Sequence, residues 1–110
     1  MKKMILVCAI LFSIVAVSAQ TNISTAMQYY KRGMTLVQKQ NYTEAINLFD
    51  KSIKDNPKLG VAYYQRGLAK IKVNAKEKAT KYVDVCADFK KAEQYGYVVP
   101  AKFKKQAGCK

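Results

Sequence analysis

The residue types that usually carry catalysis or metal binding are thin in this chain. There is no histidine among the 110 residues. The commonest general base near neutral pH is therefore missing, and no zinc set that needs one can be completed. Seven acidic residues stand against twenty basic ones. Glu44 and Glu77 each follow an asparagine by three places, the N-x-x-E spacing of a helix capping box, which places them at helix starts. Asp84 and Asp88 are four apart and share a helical face, but Lys81, Lys90 and Lys91 flank them. Carboxylates in that company read as a solvated charged face rather than an acid–base pair. No glycine pattern of the G-x-x-x-x-G-K-[ST] or G-x-G-x-x-G kind occurs. The expectation is a protein that is not an enzyme and that uses no cofactor and no metal.

The three cysteines divide by context. Cys8 sits in an apolar run from Met4 to Val17, interrupted only by Ser13, which follows Lys2 and Lys3 and ends in Val17-Ser18-Ala19. A basic start, a short apolar core and a small-x-small exit are the parts of a secretory signal. The run is too short for a membrane anchor, which needs about 20 apolar residues. Cys8 is not a lipidation site, because Val7 precedes it and it lies inside the run. We expect a signal peptide over 1–19, a polar linker over 20–24, and an exported chain, periplasmic or secreted, with no transmembrane segment after processing. Cys86 and Cys109 then form an even pair in an oxidising compartment and read as a disulfide, with two free thiols as the alternative. A bridge between them would contribute roughly 3 kcal/mol in the chain-entropy account.

The formal net charge is +13. Such a surface draws anionic partners such as acidic proteins, polysaccharide, lipid head groups or nucleic acid. It is equally what a soluble lysine-rich helical surface looks like. The candidate basic face comprises the lysines from Lys70 to Lys81 with Lys90, Lys91, Lys102, Lys104 and Lys105.

The elements that must position any site are helical. Tyr29-Tyr30-Lys31-Arg32-Gly33 returns as Tyr63-Tyr64-Gln65-Arg66-Gly67. The step from Gly33 to Gly67 is the period of a helix–turn–helix repeat, about 34 residues. Thr25 and Gln28 have capping-box spacing and open a helix from Ala26 to about Lys39. Asn41 and Glu44 open a second, through about Asp55, which Asn56-Pro57 stops. A third runs from about Leu59 to Val73. Asn74 to Glu77 is a further capping box, yet the apolar face that should follow arrives late, at Val85, Phe89 and Ala92. Val85 takes the place of Ala45 but falls beyond the repeat step by six places. The insertion either lengthens the fourth helix at its start or forms a loop before a helix that starts near Tyr82. Gly96 ends that helix. Pro100 opens a short fifth helix, about Val99 to Gln106, which caps the array.

These residues resemble a tetratricopeptide repeat protein of a small exported bacterial type. In the family's order, Tyr29, Gly33, Leu36, Ala45, Phe49 and Pro57 take the pattern's places in the first unit, about 26–59. Tyr63, Gly67, Val85, Phe89 and Ala92 follow in the second, about 60–97, with a capping helix over 99–109. The resemblance implies an all-α fold of two antiparallel hairpins in a domain over 25–110. It also implies a protein-binding module in which the first helix of each unit lines a groove. The residues in that place are Met27, Tyr30, Met34 and Val37, then Val61, Tyr64, Leu68 and Ile71. The expected ligand is an apolar or aromatic peptide or protein segment; nucleic acid is not the expected partner. A second copy of the chain, or the fifth helix folding back, would cover the same residues. Arg32 and Arg66, where the family has leucine, have no assigned role.

Overall fold

The computed structural model describes residues 25–78 and 81–110. The expected signal peptide and linker lie outside the described residues. Among the described residues there are five helices and no strand: α1 (25–38), α2 (Tyr42–Asp55), α3 (Gly60–Glu77), α4 (Val85–Gln94) and α5 (Ala101–Gln106). None of these helices is long and apolar enough to cross a membrane.

The first hairpin closes because α1 carries a glycine where α2 carries a phenylalanine. A Cβ on Gly33 would stand 2.7 Å from the Phe49 ring, so only glycine admits the ring at this depth. Ser52 Oγ donates to the Ala26 carbonyl at 2.7 Å and ties the far end of the hairpin. The second hairpin repeats the device. A Cβ on Gly67 would stand 2.7 Å from the Phe89 ring. Phe49 and Phe89 are both fully buried. The repeat is thus a packing period, and the insertion makes the step from Phe49 to Phe89 longer than the step from Gly33 to Gly67. Helix α3 packs against both α2 and α4, and joins the two hairpins.

The helix ends follow local chemistry, with three departures from the sequence expectations. Asn41 caps α2 as expected, accepting from the Glu44 amide at 3.5 Å. α1 is already helical at Thr25, one residue before the expected start at Ala26. Asn74 is not a cap. It lies inside α3, which runs on to Glu77, and its side-chain amide both donates to the Tyr82 carbonyl at 2.9 Å and accepts from the Tyr82 amide at 3.0 Å. The insertion therefore lengthens the end of α3, with a loop over 81–84 ahead of α4, which gains nothing at its start and opens at Val85. The Asn74 amide, in place of starting a helix, pins that loop. The third departure is at the last helix: Val99 is buried in the core before α5, and Pro100 is its N-cap rather than a residue of its first turn.

Three helices end alike. Gln40 (φ 60°), Gly96 (φ 87°) and Gly108 (φ 74°) are left-handed. In each case the amide of the next residue donates to a carbonyl in the last turn of the helix: Asn41 to Leu36, Tyr97 to Ala92, Cys109 to Lys104. This turn satisfies late carbonyls of each helix and fixes the direction of the chain that leaves it. It aims Tyr97 back at the core after α4, and it aims Cys109 at Cys86 after α5. The two sulfurs are bonded, with Cα atoms 5.5 Å apart.

Candidate functional site

The eight residues expected to line a groove fall into two groups. Met27, Tyr30, Met34 and Val37 on α1 are half-buried. Tyr30, Met34 and Val37 pack on one side against the cluster of Ala45, Ile46, Phe49, Ala69 and Val73. On α3, Val61 and Leu68 are half-buried, whereas Tyr64 and Ile71 are in the core. The C-terminal segment lies over them. Tyr97 stacks on Tyr64 with ring centroids 4.5 Å apart, and Phe103 meets the same ring edge-on at 6.1 Å. Leu68, Phe103 and Ala107 pack on the same cluster. Tyr64 and Ile71 are therefore packing residues in this chain, because the capping segment folds back over the α3 half of the face.

What stays partly open is the α1 half, with Tyr97 as its wall. Burial, and then the neighbouring Tyr97 hydroxyl, push the Tyr30 and Tyr64 hydroxyls above their ordinary pKa. Tyr97 is a member of this face that sequence reasoning missed. The signal was present: a large apolar residue directly after a helix-ending glycine commonly packs back on the last turn.

The charged residues form a structure of their own. Arg66 reaches Asp88 through Nε and Nη2 at 2.6–3.2 Å, and Asp50 through Nη1 at 2.8 Å. Lys70 Nζ stands 2.9 Å from both Asp84 and Asp88. Burial works against the Arg66 charge, but the hydrogen bonds and charges of Asp88 and then Asp50 outweigh it and raise its pKa. The Lys70 hydrogen bond holds the Asp84 carboxyl below its ordinary value, although its burial works against this. Two sequence expectations are corrected here. Asp88 is only 3% exposed, so it does not share the solvated face expected for the pair, whereas Asp84 is exposed. Lys70 is 4% exposed and committed to these carboxylates, so it is not part of the basic surface. Neighbouring residues in sequence gave the wrong company; the real partners of Asp88 are Arg66 and Lys70, on α3. Lys104 is likewise paired, with Glu93 at 2.8 Å. Lys72, Lys76, Lys78, Lys90, Lys91, Lys102 and Lys105 remain exposed.

Among the described residues no group of histidine, cysteine or carboxylate side chains is arranged to hold a metal ion. No buried side-chain polar atom lacks a hydrogen-bond partner among them either.

The glycine–phenylalanine hairpin is the point on which the comparison with known families turns. Residues 26–59 match the tetratricopeptide repeat. The matched stretch is the first hairpin together with the turn that leads into α3. Tetratricopeptide repeats are in general protein–protein interaction modules, and the family is typically non-enzymatic. The second hairpin lies outside the match, and it is the internal geometry, Gly67 against Phe89, that relates it to the first repeat. No curated protein and no solved structure matches the chain.

Proposed function

We propose that this chain is an exported, non-enzymatic interaction module that holds an apolar or aromatic segment of another protein against α1. The observation that carries this reading is the half-buried strip of Met27, Tyr30, Met34 and Val37, which the C-terminal segment leaves uncovered while it closes the α3 half. Methionine and tyrosine adapt to varied apolar ligands at low cost in lost freedom. Tyr97 supplies the wall against which such a segment would seat. Tyr64 and Ile71, expected to touch the ligand, are instead covered by the C-terminal segment and lie in the core.

Site-specific photo-crosslinking from position 27 or 34, in cells that produce the protein, tests this. A discrete heterologous product that disappears when Tyr30 is changed to Asp supports the reading. Crosslinks solely between copies of the chain would turn it to self-association, and none at all would end it. Mass spectrometry of the protein from those cells tests export: a mature terminus at Gln20 is expected, and retention of residues 1–19 refutes it.

The exposed lysines favour a second reading, in which the surface binds an anionic partner. Salt separates the two. A complex lost between low and moderate ionic strength is electrostatic, whereas one held by the α1 strip persists.

A further inference from the structure

The first hairpin has a second open surface, and the chain itself contains a filled copy of it. A cleft of about 420 Å³ lies between α1 and α2, lined by Arg32, Thr35, Leu36, Glu44, Asn47 and Leu48. Moved forward by the repeat offsets, Arg32 and Leu36 become Arg66 and Lys70, and Leu48 becomes Asp88. These second-hairpin counterparts form the seam between hairpins. There α2 lies across them: Ile46 and Phe49 pack on Ala69, and Asp50 bonds to Arg66 at 2.8 Å. Among the described residues no helix lies across the same edge of the first hairpin. Arg32 and Thr35 are exposed, Leu36 and Leu48 half-exposed, and among the described residues Arg32 makes no ion pair. The two buried ionic residues of the seam, Lys70 and Asp88, are replaced at the open edge by leucines. The edge thus keeps the cation that met a neighbouring helix and presents an apolar floor beside it.

We infer that this edge docks an amphipathic helix of another protein, which offers an Asp or Glu to Arg32 and its apolar face to Leu36 and Leu48. The internal template for the occupant is α2, an amphipathic helix whose Asp50 bonds to Arg66. Two other occupants lack the chemistry. Residues 1–24 contain no Asp or Glu, so the chain's own N-terminal segment has no carboxylate for Arg32. A second copy stacking head to tail would bring α4, the counterpart of α2. Its residue in the place of Asp50 is Lys90, which would face Arg32 with like charge and borders Lys104 and Cys109 at the α5 end. The inference does not depend on the α1 strip, which is a separate surface.

The probe is a hydrocarbon-stapled peptide with the sequence of residues 42–55, titrated into the protein as its producing cells process it. Fluorescence anisotropy gives affinity, and amide chemical shifts locate the site. We expect perturbations centred on Arg32, Leu36 and Leu48. Arg32→Asp should weaken the peptide about tenfold, and the peptide carrying Asp50→Lys should regain that factor on the Arg32→Asp variant. Arg32 is exposed, so the variant should fold as the parent does. Perturbations centred on Tyr97 or Arg66, no binding at millimolar peptide, or a charge swap that restores nothing would overturn the inference. So would self-association of the protein that Arg32→Asp abolishes.

Discussion

Asp88 is the residue whose replacement should be felt most. Its side chain is 4% exposed and meets two cations, Arg66 at 2.6 Å and Lys70 at 2.9 Å. Removing one partner of a buried ion pair typically costs about 3–5 kcal/mol, because the other charge stays buried without compensation. Here each cation keeps a second acid: Asp50 for Arg66 and Asp84 for Lys70, each about half exposed. That places Asp88→Leu at the lower end, about 3 kcal/mol. For a domain of this size, about 3 kcal/mol lowers Tm by about 12–24 °C. The first hairpin supplies the control, since it has Leu36 and Leu48 where the second has Lys70 and Asp88. The pair Lys70→Leu with Asp88→Leu therefore copies a solution the chain already uses, and leaves Arg66 on Asp50. Well-packed apolar replacements of a buried ion pair are often neutral or stabilising. The double variant should recover at least about 2 kcal/mol of the single variant's loss. Urea unfolding followed by circular dichroism gives all corners of the cycle. A single variant that costs under about 1 kcal/mol, or a double variant as unstable as Asp88→Leu alone, would refute the account of the network as a buried, mutually dependent set.

Three further outcomes are expected. Reducing the Cys86–Cys109 bond should cost about 3 kcal/mol by chain entropy, and should free α5 first, since a helix this short does not hold alone; hydrogen exchange at Phe103 and Ala107 rising no faster than at Phe89 would contradict this. Gln40→Gly should stabilise by about 0.5–1 kcal/mol, because position 40 is left-handed at φ 60°, and an unchanged urea midpoint would count against it. The hydroxyls of Tyr30, Tyr63 and Tyr64 are raised above their ordinary pKa, foremost by burial. A group with a raised folded pKa contributes its stability below the unfolded value and loses it as pH climbs through the folded one. Stability should therefore fall as pH climbs above about 10, and a urea midpoint that stays flat across that range would refute it.

How far the residues spoke for themselves differs from element to element. Asn41 with Glu44 and Asn56-Pro57 bounded α2 as built, because caps and proline act within a few residues. Asn74 with Glu77 has the same spacing and means something else. A capping box states what a stretch could start, and α3 was already running through it with the Tyr82 backbone waiting for the amide. The expected groove divides in the same way. Its four α1 residues share one half-buried face, which helical spacing alone places together. The fate of Tyr64 depended on Gly96 turning Tyr97 back over α3, a contact between parts of the chain that are distant in sequence.

What is periodic or local in this protein was determined by sequence alone: the repeat step and the caps around α2. Each acts through backbone geometry or a packing rule that needs no knowledge of distant neighbours. Tertiary structure assigns the two arginines of the repeated Y-Y-x-R-G. Arg66 has a helix before it and a carboxylate below it, and it became the centre of a buried network. Arg32 shares the Y-Y-x-R-G pattern but has an exposed cleft and a leucine in place of that carboxylate. Burial and charge partner are properties of what lies across the seam, and for that reason identical words in the chain carry different physical meanings.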